Sequence, residues 1–348
     1  MSDENYVFIA SGKNERYILE AVFASSSCRE ANHNSKTILL TTSDCAKLVK
    51  TIGADKDFDQ IVIADFESSE PKAESRFLKS NLRQLIPENH FWYLDSDLTM
   101  RKRLSASLPS SVDVAGAEDQ KMNVYHYALP QCERAGWALD PTRPYINTGV
   151  MYWSNSERAK KLGNLWAKLW LFGYREYGIS SDQPSFNTAV QRLKPGFQLL
   201  DPKYNTQLWV NQMQCADSYI WHYGGEAMKT VSSMTDYPES CFSNAAGASI
   251  DEVRLLGKKS ANAKSPWLMS DTEIHGKIRI SDLSKSSRVK HLVGQAYAAL
   301  DHGNYVHSLK LAAIGWNTNR ASGQAFATVG KFFLVFSFRL LRAFMRKS

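Results

Sequence analysis

The chain has 348 residues, 43% of them hydrophobic and 22% charged. That balance excludes bulk disorder, a collagen-like fibre and a polytopic membrane protein, and the length is ample for a sizeable core. The formal net charge of +7 does not describe a nucleic-acid binder: Lys331, Arg339, Arg342, Arg346 and Lys347 carry five of those charges within residues 321–348, which contain no acid.

Five scattered cysteines, Cys28, Cys45, Cys132, Cys215 and Cys241, never form a CxxC. This suits a reducing compartment and provides neither a zinc site nor a disulfide framework. The first residues are acidic, and no apolar run reaches the roughly 18 residues of a spanning helix. The expectation is a cytoplasmic protein, peripheral on the inner face of a membrane if its basic end binds lipid.

In chain order, Tyr6–Ser11 reads as a buried strand and Glu15–Ser26 as a helix. Thr37–Thr42 is a strand, and Asp44–Ile52 a helix that Ser43 could cap. Gln60–Phe66 is a third strand, Ala73–Leu85 a helix, His90–Leu94 a fourth strand and Val112–Ala117 a fifth. Such alternation with short apolar strands predicts an α/β fold, a mostly parallel sheet covered on both faces. Neither GxGxxG after the first strand nor GxxxxGK[ST] occurs, so the two commonest nucleotide loops are missing.

Residues 120–144 read as a long polar excursion. Tyr145–Trp153 follows as a strand, Glu157–Tyr174 and Gln183–Leu193 as helices, and Phe197–Leu200 and Tyr219–His222 as strand pieces. The pattern fades from about 226 to 285, and 288–319 reads as two helices joined at Asp301-His302-Gly303-Asn304. The expected organisation is a catalytic unit over 1–225, an irregular extension over 226–287 on the acceptor side, and C-terminal helices over 288–348.

The sharpest motif is Trp92-Tyr93-Leu94-Asp95-Ser96-Asp97-Leu98. Ligands of parallel sheets bind outside the carboxyl ends of the strands. Two carboxylates at i and i+2, where a strand gives way to a turn, can share one Mg²⁺ or Mn²⁺. The plain alternative is two solvated loop aspartates. Two chemistries use such a motif. An aspartyl-nucleophile phosphatase of the haloacid dehalogenase class uses DxDxT, which Asp95 to Thr99 fits literally, but at the end of its first strand rather than its fourth. A nucleotide-sugar glycosyltransferase uses DxD to hold a metal on a diphosphate.

Four further segments favour the second. Arg76 and Lys79 are three apart and share a helix face before the motif, or simply form a solvated basic face. Tyr145-Ile146-Asn147-Thr148-Gly149-Val150 offers an amide, and a glycine that lets a ligand approach closely. Ser181-Asp182-Gln183-Pro184-Ser185-Phe186-Asn187 begins a helix with an acid and an amide, where Ser181 or Asp182 could equally act as an N-cap. Ile220-Trp221-His222-Tyr223-Gly224-Gly225 ends a strand with a histidine, a candidate third metal ligand.

In this order the strings YLDSD, YINTGV, SDQPSFN, LLDPKYN (199–205) and WHYGG resemble the GT-A-fold glycosyltransferases, close to family 8 and its glycogenin-like and bacterial galactosyltransferase-like enzymes. The resemblance covers residues 5–225. It implies a Rossmann-like GT-A sheet, a UDP-linked hexose donor, Mn²⁺ or Mg²⁺, and a glycan or lipid-linked acceptor. It also implies metal ligation by Asp95, Asp97 and His222. Ala10, Ser11, Arg76, Lys79, Asp95, Asn147, Gly149, Gly225 and Lys229 would serve the donor, and Asp182 and Gln183 would flank the anomeric carbon. The family continues its histidine string with Lys-Pro-Trp; here Glu226-Ala227-Met228-Lys229 follows, which displaces Lys229 by one place. Retention is implied by the resemblance. Inversion would need a base, with Asp182 or Asp119 as candidates.

The end of the chain, Lys331 to Lys347, spaces Arg339, Arg342 and Arg346 at three and four. Phe333, Phe336, Leu340, Leu341 and Phe344 form an apolar stripe. A basic amphipathic helix suits an anionic membrane surface; packing on the catalytic unit or on a second copy is the alternative. A non-catalytic docking protein built on this helix is a third reading of the chain.

Overall fold

The computed structural model describes residues 4–68, 70–104, 108–119, 124–125, 127–207, 217–223 and 249–262, with the single positions 309, 312–313, 329, 332–333 and 336–337 beyond them. Gly225, Lys229 and most of both the helices expected over 288–319 and the basic stretch lie outside the described residues.

Ten strands are described: β1 (Asn5–Ala10), β2 (Lys36–Thr41), β3 (Gln60–Ile63), β4 (His90–Leu94), β5 (Leu98–Met100), β6 (Val114–Glu118), β7 (Ile146–Ser154), β8 (Phe197–Leu200), β9 (Thr206–Gln207) and β10 (Ile220–His222). The helices are α1 (Glu15–Ala31), α2 (Ser43–Thr51), α3 (Pro71–Ser80), α4 (Leu82–Leu85), α5 (Ala128–Arg134), α6 (Glu157–Tyr177), α7 (Gln183–Leu193) and α8 (Ile250–Asn262).

Seven strands make one sheet in the order β3-β2-β1-β4-β7-β6-β8. β7 runs antiparallel to both neighbours, and the remaining pairings are parallel. This is the mixed, mostly parallel α/β sheet that the alternating pattern predicts. Both faces are covered, so adjacent residues of a central strand enter different cores. On β4, Trp92 and Leu94 join the core that includes α1, while Phe91 and Tyr93 join the core that includes α6 and α7. In the second core Trp153 stacks on Trp166 at 6.0 Å, and Phe186 meets Trp166 edge-on at 4.9 Å.

A second sheet, β5-β10-β9, lies beside the end of β4. Its strands are three, three and two residues long, too short for a period of two to register in sequence. Three further differences from the sequence reading have local causes. The helix expected over 73–85 is two helices, interrupted at Asn81; the Asn81 side chain donates back to Phe77 O at 2.9 Å, competing with the helix ladder. Ser43 does not cap α2: its hydroxyl and amide both donate to Asp65. The 120–144 excursion contains α5.

The extension after 226 is not irregular throughout. Residues 250–262 form α8, which lies against α1. Gly257 permits this approach, since a Cβ there would collide with Phe23 O and lie 2.7 Å from Ser26 Cβ. Arg254 fastens the helix by a two-pronged bond to Asp57 at 2.7 and 2.8 Å and donates to Gly53 O at 3.0 Å. In the basic stretch the described positions 332, 333, 336 and 337 are helical. Phe332 and Phe336 are buried while Phe333 is 41% exposed. The buried side therefore runs through Phe332 and Phe336 rather than through Phe333.

Candidate active site

β4 ends at Leu94, and the next residue continues the pairing with β7 by one bond, Asp95 N to Gly149 O at 2.8 Å. Asp97 follows at the turn into β5. β5 pairs antiparallel with β10, which places His222 opposite Leu98, and Tyr223 N donates to Asp97 O at 2.9 Å. The short sheet thus carries His222 to the two aspartates. One ligand atom from each of Asp95, Asp97 and His222 lies within 4.8 Å of the others. His222 Nε2 is 3.3 Å from Asp97 Oδ1 and 3.9 Å from Asp95 Oδ2. The imidazole is buried and the carboxylates are partly exposed, so the cluster opens on its oxygen side.

Gly149 is part of this geometry. A Cβ on it would collide with His222 Cε1 and would lie 2.8 Å from Asp95 Oδ2 and 2.9 Å from Asn147 Oδ1. The sequence assigned this glycine to close approach by a ligand; the groups that approach it are the candidate metal ligands themselves.

α3 brings Arg76 and Lys79 to the same place. Lys79 is 2% exposed; its ammonium is 2.9 Å from Asp95 Oδ1 and 3.6 Å from Asp182 Oδ2. Arg76 Nε is 3.0 Å from Asp182 Oδ1. Both cations therefore engage carboxylates instead of forming a solvated face. Tyr93 OH also donates to Asp95 Oδ1. Burial, with Asp95 adding, pushes the Tyr93 phenol well above its ordinary value, so it remains a donor.

Asp182 occupies the N-cap position of α7, yet its side chain makes no capping bond. It accepts instead from Thr148 Oγ1 at 2.6 Å and faces the two cations. Burial alone would raise its carboxyl, but Lys79 and Arg76 outweigh burial and hold it at about 2. Gln183 donates through Nε2 to Asp119 Oδ2 at 2.9 Å, which joins the expected anomeric amide to the end of β6. Asn147 donates to the same oxygen at 3.1 Å. Ser11, at the end of β1, is buried, and Ala10 O accepts from Thr41 Oγ1.

Burial pulls the His222 ring downward, but Asp97 and then Asp95 carry it above the ordinary histidine value. On α1, burial and the nearby Asp97 push the Glu20 carboxyl up to about 7. Around the cluster four carboxylates, Asp95, Asp97, Asp119 and Asp182, face two fixed cations, Arg76 and Lys79. That excess of negative charge, with two hard oxygen ligands and one imidazole, fits a divalent ion such as Mn²⁺ or Mg²⁺.

The DxDxT alternative fails on its last residue. Thr99 is fully buried within β5; its hydroxyl is 3.0 Å from Tyr223 OH and donates to Ser260 at 3.1 Å. It joins Ser260 of α8 to Tyr223, the residue after β10, and is closed off from solvent.

Residues 81–228 match a protein family described as nucleotide-diphospho-sugar transferase. The matched stretch contains all five strings that carry the resemblance, from YLDSD to WHYGG. The protein is accordingly a glycosyltransferase of the nucleotide-sugar type. No curated protein matches its sequence. Among solved structures, the transferase is similar to a galactosyltransferase, LgtC, in complex with donor and acceptor sugar analogues, at 15% identity and a TM-score of 0.48 over 70% of this chain and 95% of that one. It is similar to the glycosyltransferase GlyE of Streptococcus pneumoniae TIGR4 at 16% identity, TM-score 0.46, over 75% and 64%. It is also similar to the bifunctional WbbM glycosyltransferase at 14% identity, TM-score 0.45, over 65% and 46%. At these scores the similarities assign no residue of the transferase.

Reading the sequence alone gives no role to Asn205, Thr148 or Tyr93. Asn205 falls in the LLDPKYN string, but only the fold sets its amide 2.8 Å from His222 Nδ1.

Proposed function

We propose that the protein is a metal-dependent hexosyltransferase that takes a UDP-linked sugar and passes the hexose, with retention, to a glycan or lipid-linked acceptor. One observation carries this reading: Asp95, Asp97 and His222 converge where a strand ends, around a glycine that leaves them room. Asp95, Asp97 and His222 would hold Mn²⁺ or Mg²⁺. Bound there, the ion supplies positive charge for the diphosphate as its bond to the sugar breaks.

The chain's own residues do the rest. Lys79 and Arg76 keep Asp182 anionic beside Gln183. An anion and an amide oxygen there would stabilise a cation-like sugar, and the departing phosphate would take the acceptor's proton. Gln183, tied to Asp119 through Nε2, keeps its Oε1 for this purpose. Ala10 and Ser11 would border the nucleobase, Asn147 and Gly149 the donor sugar, and Gly225 and Lys229 the diphosphate. We assign catalysis to 1–225, acceptor contacts to 226–287, and attachment to an anionic membrane surface to 331–348. Among the described residues no helix is long and apolar enough to cross a membrane. Attachment would rest on the basic residues, each contributing about 1 kcal/mol near an anionic surface.

Thermal unfolding with a panel of nucleoside diphosphates, each with Mn²⁺ and with EDTA, tests the reading. A ligand at 100 times its Kd adds about 2.7 kcal/mol to the native state. A rise in Tm with UDP that needs the metal is expected. A flat response to every nucleotide would overturn the proposal.

A further inference from the structure

His222 can serve a cation only if the nitrogen facing Asp95 and Asp97 carries a lone pair and no proton. Which nitrogen is protonated can be worked out from the hydrogen bonds around it. One group among them has a fixed direction: the backbone N–H of Gly149 can only donate. It donates to Asn147 at 2.8 Å, so the Asn147 atom there is its oxygen, Oδ1. Asn147 Nδ2 must then face the other way, where Asp119 Oδ2 accepts it at 3.1 Å. A carboxylate is acceptor-only when ionised, so both ends of this amide agree.

Asn147 Oδ1 also meets Asn205 at 2.9 Å. Two amide oxygens would repel there, so the Asn205 atom is Nδ2. Its Oδ1 is then the atom 2.8 Å from His222 Nδ1. That oxygen can only accept, so His222 carries a proton on Nδ1, and when the ring is neutral this bond leaves the lone pair on Nε2. Nε2 is the atom 3.3 Å from Asp97 and 3.9 Å from Asp95. Asn147 is 6% and Asn205 0% exposed, His222 is buried, and Asp119 is half-buried. Reversing one amide would therefore leave like groups facing each other away from water, at a cost of several-fold in population for each lost bond.

We propose that Asn205 is a positioning residue for the cation site, its amide set by Gly149 N–H through Asn147 so that the neutral ring of His222 keeps its proton on Nδ1. Asp119 is the terminus of the same chain. It accepts from Asn147 and from Gln183, at 2.9 Å. The amide of Gln183 and the imidazole of His222 are thereby ordered by one continuous set of donors. The inference rests on the metal reading given above for its purpose, but the proton position itself does not depend on it.

The test separates the two. In full-length protein with ¹⁵N-labelled histidine, long-range ¹H–¹⁵N correlation in alkaline buffer without metal reads which ring nitrogen bears the proton. Subtraction of a His222→Gln spectrum assigns the signal. Nδ1–H is expected in the wild type and in Asn205→Asp, whose carboxylate can still accept. In Asn205→Leu the proton is expected to move to Nε2, where Asp97 accepts it, and Mg²⁺ affinity by calorimetry should fall about 10- to 100-fold. Nε2–H in the wild type, or unchanged Mg²⁺ affinity in a folded Asn205→Leu protein, would overturn the assignment. If Asn205→Leu does not fold, the wild-type and Asn205→Asp spectra still decide the proton's position. Nδ1–H with no Mg²⁺ binding to the wild type would uphold the hydrogen-bond order while overturning the metal reading.

Discussion

Gly149 and His222 are packed so closely that there is no room for a methyl group between them. A Cβ on Gly149 would overlap His222 Cε1 and press on Asp95 Oδ2 at 2.8 Å. The neighbours cannot simply yield, because His222 is tied to Asn205 and Asp95 to Lys79. Gly149→Ala should therefore push a candidate ligand out of place. Mn²⁺ binding, read by electron paramagnetic resonance, should weaken about 10- to 100-fold, while the far-ultraviolet circular dichroism of the fold is retained. Wild-type Mn²⁺ affinity in this variant would show that the three side chains do not share an ion.

Asp97 and Asp95 are not equivalent. Asp95 is also the partner of the buried Lys79 and of Tyr93, so Asp95→Asn disturbs both metal binding and the polar core. Asp97→Asn tests the ion more cleanly. Metal-dependent transfer should fall about 100- to 1,000-fold in kcat, with Tm in EDTA held or slightly raised. Transfer that survives would mean that Asp97 is no ligand.

Asp182 gives a pH dependence of stability with a definite sign. Its carboxyl is held at about 2 against an ordinary 3.8. A depressed carboxyl stabilises the fold above the unfolded value, and that contribution is lost as pH falls through the folded one. A shift of nearly two units corresponds to about 2 kcal/mol. Urea unfolding should show the wild type more stable than Asp182→Asn at neutral pH. The gap should close between about pH 4 and pH 2. A gap independent of pH would mean that Lys79 and Arg76 do not hold this carboxylate charged.

α8 should behave as an integral part of the fold. Gly257→Ala places a methyl against the Phe23 carbonyl, a backbone atom that cannot rotate away. A loss of about 1–3 kcal/mol is expected in urea unfolding. Through Ser260, Thr99 and Tyr223 the displacement should also reach His222's neighbour, so Mn²⁺ affinity should fall with it. A variant as stable as the wild type would make α8 a loosely docked appendage.

Strand–helix alternation over the first half of the chain was legible because each buried strand is an apolar run bounded by turn residues. HFWYL before DSD, and YINTGVMYW after the polar excursion, are examples. The same reading picked out Asp95, Asp97 and His222, because carboxylates at a strand end and a histidine before two glycines are local patterns. It also picked out Arg76, Lys79 and Asp182, but it could not tell a solvated basic face from a buried ion-paired one. Helical spacing gives a direction and says nothing of what lies opposite.

What the sequence determined by itself was the sheet, the order of its elements and the residue types at its carboxyl edge, since these follow from period and from side-chain chemistry within a few neighbouring positions. Tertiary structure decided how they combine. Three strands of two or three residues, below the length at which periodicity speaks, register His222 against Leu98 and so against Asp97. Asn205, Asn147 and Asp119 are 58 and 28 positions apart along the chain, yet their amides and carboxylate join into one directed set of hydrogen bonds. A hydrogen bond depends on a separation near 3 Å and on which atom donates, and for residues so distant in sequence only the folded chain sets either.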